Sequence, residues 1–335
     1  MRRKLLTTLT LAAVVVALSA CGEKEESLGP QDREQVELLL DFFPNADHAP
    51  IYAAEAGGHF DAVGLDVKIR QPSDPAAPIK QVAAGRVDLA ISYEPEVLRA
   101  RDKGSPVVSV AALVQQPLTS IISLPKAKIN RPADLEGKLV GTAGIDYQSA
   151  YLKAITDRSV GRPETVKERN VGFNLSPALL TGKVDAVLGA FWNYEGTDLE
   201  LRGKDPRIIR VEEAGVPAYD ELVVVASERS IEESPERIRA FIGALGRGVR
   251  DLQRDPNAAL EGLLKANRDL DRRLQRRVLD VTLPLFAAPR GKPYGFHDPK
   301  EWDEFTSFLR ETGALEDFVA PGEAYTNEYL PGEGL

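Results

Sequence analysis

The segment from Val36 to Ile69, VELLLDFFPNADHAPIYAAEAGGHFDAVGLDVKI, constrains the fold more than any other part of the chain. Val36 to Leu40 is a short apolar run of strand length. Behind it comes a polar and aromatic cluster: Asp41, Phe42, Phe43, Pro44, Asn45, Asp47 and His48. A helix is expected from about Ala49, and after Gly64 a second strand from Leu65 to Ile69. Two strands joined through a helix run parallel in one sheet, because the helix carries the chain back to the starting edge. In open sheets of this kind small molecules bind beyond the carboxyl ends of the strands. The cluster from Asp41 to His48 is therefore expected to face a ligand.

A chain of 335 residues can bury a large core and is expected to split into two lobes. Hydrophobic content of 43% and charged content of 28% place it among ordinary globular proteins. A formal charge of −9 argues against nucleic acid, which calls for a basic stripe. The first residues read as an export signal rather than as fold. Arg2, Arg3 and Lys4 precede an apolar core from Leu5 to Leu18, and small residues then lead to Cys21. The ending resembles a bacterial lipoprotein box, which implies cleavage after residue 20 and lipidation of Cys21. Cys21 is the only cysteine, so an intrachain disulfide is excluded. Residues 21–35 are polar and are expected to tether the domain to the membrane surface. No later apolar run is long enough to span a bilayer.

Strands and helices are expected to alternate through the middle of the chain. Val87 to Ser92, Val107 to Val114 and Ser120 to Leu124 read as strands, and a helix after Tyr93-Glu94-Pro95-Glu96 reaches about Lys103. The composition changes at Pro125 to Gly137, which is read as a domain crossing. A return crossing is read at Gly215 to Glu221, before the apolar strand Leu222 to Ala226. The expected units are a first lobe of residues 36–124 and 225–320 and a second lobe of residues 125–224. After Ser227 the chain reads as helices, one of them opening with Ser234 as cap and Pro235 in the first turn. The tail, residues 321–335, bears Gly and Pro and is expected to be mobile.

One echo links the two units. Ala84-Gly85-Arg86-Val87-Asp88-Leu89-Ala90 resembles Thr181-Gly182-Lys183-Val184-Asp185-Ala186-Val187. Each strand that follows delivers aromatic residues at its carboxyl end: Tyr93 in one case, Phe191 and Trp192 in the other. A cleft between two such lobes could sandwich a flat ligand. Phe42, Tyr93, Phe191, Trp192, Tyr194 and Tyr219 stand near Asp41, Asn45, His48, Glu94, Asn193, Glu195, Asp220 and Glu221. Flat apolar faces interleaved with donors and acceptors suit a planar heteroaromatic ligand, and the carboxylates favour amino groups or positive charge.

Other chemistries have weaker support. The three histidines, His48, His59 and His297, form no ligand-spaced pair, so no metal is expected; His59 reads as a capping residue and His297 as a solvated loop residue. Gly141-Thr142-Ala143-Gly144 follows a strand and precedes a helix, as an anion-binding turn does, but it lacks the Lys-Ser/Thr ending of a phosphate loop. No nucleophile elbow occurs.

The motifs Leu40-Asp41-Phe42-Phe43-Pro44-Asn45 with His48, Ser92-Tyr93-Glu94-Pro95-Glu96-Val97, Asn193-Tyr194-Glu195 and Gly215-Val216-Pro217-Ala218-Tyr219-Asp220-Glu221 resemble the thiamine-precursor branch of periplasmic binding proteins. The resemblance runs from about Val36 to beyond Phe308. It implies an α/β fold of the type II periplasmic binding class, two Rossmann-like lobes joined by two crossing strands. It implies no enzyme activity and no cofactor. It implies a monomeric, lipid-anchored receptor on the outer face of the cell membrane. Such a receptor captures a pyrimidine close to N-formyl-4-amino-5-aminomethyl-2-methylpyrimidine for an ABC permease. On that resemblance the ring stacks on Phe42, Tyr93 or Trp192, with Phe191 and Tyr219 nearby, and Asp41, Asn45, His48, Glu195 and Glu221 supply polar contacts. Where the branch often carries Trp, this chain has Phe42. Two rivals share the fold. A sulfonate-type receptor would need cleft arginines. A pyridoxal-dependent pyrimidine synthase would need a Schiff-base lysine, but Ser92 and Glu96 stand where its lysine and histidine would be.

Overall fold

The computed structural model of the chain describes residues 33–316 and 319–332. The expected signal peptide, Cys21 and most of the tether lie outside the described residues. The first strand, β1 (Glu34–Leu39), starts within the expected tether. A 3-10 turn (Ala46–His48) and α1 (Ala49–Ala56) lead to β2 (Leu65–Arg70). β1 and β2 are parallel, with Val36 opposite Val67, as the helix between them requires. Next come α2 (Pro78–Ala83), β3 (Leu89–Ser92), α3 (Glu94–Asp102) and β4 (Val107–Val114). All eight residues of β4 are buried, the pattern of a strand covered on both faces.

The chain then builds a second sheet from β5 (Thr119–Ser123), β6 (Leu139–Thr142), β7 (Lys167–Asn170), β8 (Ala186–Phe191) and β9 (Arg207–Arg210). Its helices are α4 (Asp146–Ser159), α5 (Leu175–Leu180) and α6 (Glu195–Leu201). β10 (Leu222–Ser227) returns to the first sheet. The sheet orders are β2-β1-β3-β10-β4 and β7-β6-β8-β5-β9. Each sheet keeps four parallel strands and takes one antiparallel strand, β10 or β5, from the chain as it arrives from the other lobe. β3 and β8 occupy the same central place in the two sheets, which gives the internal sequence echo a structural meaning.

Helices α7 (Glu228–Glu233), α8 (Pro235–Arg254), α9 (Pro256–Ala266), α10 (Arg272–Thr282) and α11 (Pro299–Glu311) cover the first sheet, with α12 (Pro321–Ala324) near the end. α8 presses on α1 at Gly248, where an added Cβ would come within 2.4 Å of the Pro50 carbonyl oxygen. α1 thus depends on a residue with no side chain nearly two hundred positions away. No helix among the described residues is long and apolar enough to cross a membrane.

Several expectations are corrected. The strand at Thr119–Ser123 was read with the first lobe, but it pairs with β8 and β9 in the second sheet. The crossing therefore precedes it, because apolar composition marks a buried strand without saying which sheet buries it. β7 and β9 carry no apolar alternation and were not foreseen. β7 is an edge strand exposed along its length, which needs polar side chains. Pro235 does open α8, but the Ser234 side chain makes no capping bond. The described part of the tail packs against the first lobe: Tyr325 forms a parallel bridge with Ser109, and Tyr329 and Leu330 are buried. His297 is also fully buried. Its Nδ1 lies 2.7 Å from Asp220 Oδ2 and its Nε2 lies 3.0 Å from Ser109 Oγ. A loop histidine becomes core here because α11 and the tail fold over it, which local sequence does not reveal.

Candidate functional site

The carboxyl ends of β1 and β3 face that of β8 across a cavity lined by both lobes. From the first lobe its wall takes Asp41, Phe42, Asn45, Asp47, His48 and Tyr93. From the second it takes Gln148, Phe191, Tyr194 and Glu195, with Ala143, Ile145, Leu175 and Gly189 filling between them and Leu222 at the base.

The loop after β1 is set by its own polar groups. Asn45 caps the 3-10 turn, its Oδ1 accepting from the Asp47 N–H at 2.7 Å. The Asn45 N–H donates to His48 Nδ1 at 3.2 Å. His48 therefore carries its proton on Nε2, which donates to Asp41 Oδ1 at 2.8 Å. The other Asp41 oxygen accepts from the Tyr93 hydroxyl at 2.7 Å, tying β1 to the end of β3. Replacing Asp41 with alanine leaves two buried donors without an acceptor. The expected result is a loss of about 2–3 kcal/mol of stability, read as a lower urea midpoint. An unchanged midpoint would mean that this triad does not hold the wall.

Aromatic rings close the cavity from both sides. Phe42 meets Phe173 of the second lobe edge to face at 4.8 Å, Phe43 meets Tyr194 at 5.6 Å, and Tyr93 stands 6.4 Å from Phe191. Glu195 begins α6 and accepts from the Phe191 N–H at 2.8 Å. Burial pushes its carboxyl up to about 8, and burial likewise raises Asp47 to about 6. The cavity wall carries three carboxylates and one histidine but no lysine or arginine. Such a lining gives an anion no lysine or arginine to pair with and favours a ligand that brings N–H groups.

Seven of the ten residues expected at the ligand line this cavity: Asp41, Phe42, Asn45, His48, Tyr93, Phe191 and Glu195. Three do not. Trp192 turns outward, its indole N–H donating to the Pro117 carbonyl and its ring lying 4.2 Å from the Arg210 guanidinium. Glu221 sits in the crossing segment. Its carboxylate accepts from the Leu118 and Thr119 N–H groups at 2.6 and 2.7 Å, from Thr119 Oγ at 2.9 Å and from the Tyr219 hydroxyl at 2.9 Å. Tyr219 stacks on Phe305 at 4.9 Å, inside the first lobe. These residues look like site residues in sequence because the hinge and the cleft are adjacent segments of one polar run.

Asp47, from the cluster expected to face a ligand, and Tyr194, one of the aromatic residues expected to flank it, also line the cavity. Gln148 was missed, because a glutamine at a helix start carries no mark of function. Its placement needs Gly189, whose φ is +93° and whose added Cβ would fall 2.1 Å from the Gln148 amide nitrogen. Gln148 Oε1 in turn accepts from the Ala143 N–H at 2.8 Å, so the Gly141–Gly144 turn has a side chain where an anion would have to sit. Ser92 and Glu96 bond each other and are not part of the cavity wall, and burial raises Glu96 to about 7. No group of His, Cys, Asp and Glu among the described residues could hold a metal ion.

Comparison with known proteins agrees with this architecture. The family described as NMT1/THI5 like matches residues 45–259. Over 323 residues the chain is 36% identical to a formylaminopyrimidine-binding protein of Halalkalibacterium halodurans, covering 95% of this chain and 97% of that one. It is 25% identical over 302 residues to a 4-amino-5-hydroxymethyl-2-methylpyrimidine phosphate synthase of Legionella pneumophila, covering 89% and 93%. The alkanesulfonate-binding protein SsuA from Xanthomonas axonopodis pv. citri, solved with bound MOPS, has a TM-score of 0.67 and 16% identity, covering 87% of this chain and 98% of that one. The two-lobed fold is thus that of the periplasmic binding proteins, as the sequence resemblance implied. By its family match and by its identity along nearly the whole chain, this protein belongs to the NMT1/THI5-like family.

Proposed function

We propose that this protein is a receptor that closes its two lobes on a thiamine pyrimidine precursor, of the formylaminopyrimidine or hydroxymethylpyrimidine type, and delivers it to an ABC permease. The observation that carries the reading is the cavity wall: aromatic rings from both lobes, three acidic side chains and no lysine or arginine. A flat aminopyrimidine offers ring faces to Phe42, Tyr93 and Phe191 and N–H groups to the acids. The relative from Halalkalibacterium halodurans, a formylaminopyrimidine-binding protein by name, supports the same class of ligand. A sulfonate would meet this wall without a cation to pair with. A pyridoxal-type synthase reading lacks a lysine on the cavity wall. Release of bound ligand from the purified protein, followed by mass spectrometry, should yield an aminopyrimidine, and calorimetry should show that taurine does not compete with it. Recovery of a sulfonate, or displacement by taurine, would sink the reading. An absorbance shift on adding pyridoxal phosphate would favour the synthase instead.

The receptor is anchored through a lipid on Cys21, works as a monomer and faces the cell exterior or periplasm. Cys21→Ser should move the protein from the membrane fraction to the soluble one. Retention in the membrane fraction would remove the lipid from the account.

A further inference from the structure

The three acids of the cleft are not equivalent. Asp41 has both oxygens engaged by His48 and Tyr93. Glu195 is held by the Phe191 N–H. Asp47 is divided. Its Oδ1 accepts from Asn193 Nδ2 at 2.6 Å and from Thr282 Oγ at 3.3 Å, whereas its Oδ2 is buried without a hydrogen-bond partner. Asp47 is 1% exposed and lies on the cavity wall. Asn193 follows β8 in the second lobe, while Thr282 ends α10 in the first. One oxygen of Asp47 therefore joins the lobes, and the other is buried without a partner in a residue that lines the cavity.

A buried carboxylate oxygen without a donor is costly. No lysine or arginine stands on the cavity wall to relieve it, and the His48 ring is engaged by Asp41 and the Asn45 N–H. The group that can do so is one that enters with the ligand. We propose that Asp47 is the specificity-determining residue of the cleft: Oδ2 accepts an N–H from the amino or amidinium edge of the ligand while Oδ1 holds Asn193 across the cleft. This rests on the receptor reading above and adds to it a means of choosing among pyrimidines. A ring presenting a carbonyl oxygen at that edge would set lone pairs against lone pairs, so amino and oxo pyrimidines of the same shape are told apart. The same carboxylate ties ligand capture to lobe closure, since the donor from the ligand and the donor from the second lobe meet on one group.

The full chain is titrated calorimetrically with 4-amino-5-hydroxymethyl-2-methylpyrimidine and with its 4-oxo counterpart. The wild type should prefer the amino compound at least tenfold. Asp47→Asn keeps an oxygen for Asn193 and turns an NH₂ donor toward the cavity. Its preference for the amino compound should fall tenfold or more, or reverse. Asn193→Ala leaves the acid in place and should weaken both ligands alike. A wild type that binds both compounds equally would overturn the inference. So would an Asp47→Asn variant that keeps the wild-type preference, and in either case the receptor reading would stand. A wild type that binds neither pyrimidine would overturn the receptor reading itself. The wild-type comparison needs no folded variant, so it decides the matter even if Asp47→Asn melts early.

Discussion

Replacing Glu221 with alanine is expected to lower the unfolding free energy by about 4 kcal/mol, more than any single change in the cavity wall. The reason lies in what its carboxylate serves. Two backbone N–H groups of the crossing segment, at Leu118 and Thr119, and the hydroxyls of Thr119 and Tyr219 all donate to it, and Glu221 is fully buried. Removing the acceptor strands four donors at once, each costing about 1–3 kcal/mol and not fully additively. Three of these donors lie where the chain passes from β4 to β5 and the fourth, Tyr219, where it returns to β10, so the loss falls on both crossings. Urea denaturation reads the stability, and small-angle scattering reads the separation of the lobes. If Glu221→Ala melts like the wild type and loses only ligand affinity, the residue is a ligand contact after all and the hinge assignment fails.

The second large effect is a fall in stability of the ligand-free protein as pH rises from about 5 to 8. Burial raises Glu195 to about 8, Glu221 and Glu96 to about 7, and Asp47 to about 6. Burial also raises Glu94 well above the carboxylate range, and the Asp220 carboxylate beside it raises it further. A raised folded-state pKa means that the native protein holds protons which the unfolded chain has already released. The penalty is absent below about pH 4.5, where both states are protonated, and grows until pH passes the folded value. Displacing one carboxyl by one pKa unit is worth about 1.4 kcal/mol, so the group amounts to several kcal/mol across this window. Asp146, held low by Lys103 and Arg99, acts in the opposite sense but only at lower pH. Melting temperatures at constant ionic strength should therefore decline between pH 5 and pH 8. Glu195→Gln should flatten that decline, and an amine-bearing ligand should reduce it by supplying donors. A melting temperature that rises over this window, or a Glu195→Gln variant with the wild-type slope, would contradict the assignment of these acids to an interior without cations.

Much of this protein could be read from local pattern. The strand-helix-strand unit at Val36–Ile69, the two Gly-basic-Val-Asp turns and the aromatic strand ends are short-range signals. Each reflects a backbone preference or a burial period that neighbouring residues decide among themselves. Seven of the ten expected site residues fell on the cavity for that reason: the carboxyl end of a parallel strand faces a cleft whatever the rest of the chain does.

Tertiary structure decided the rest. Whether Thr119–Ser123 joins the first or the second sheet depends on partners far along the chain, at Ala186–Phe191 and Arg207–Arg210. Whether Trp192 faces ligand or Arg210, and whether Glu221 serves a pyrimidine or two hinge amides, depends on rotations of a residue or two within a polar run. His297 became core because a helix and the tail cover it, and Gln148 reached the cavity because Gly189 leaves it room. Local sequence determined which stretches become strands, helices and ligand-facing loops, since propensity and burial period act over a few residues. The assignment of individual side chains to ligand, hinge or core was left to long-range packing, because donors and volumes brought together from both lobes set the free energy of each choice.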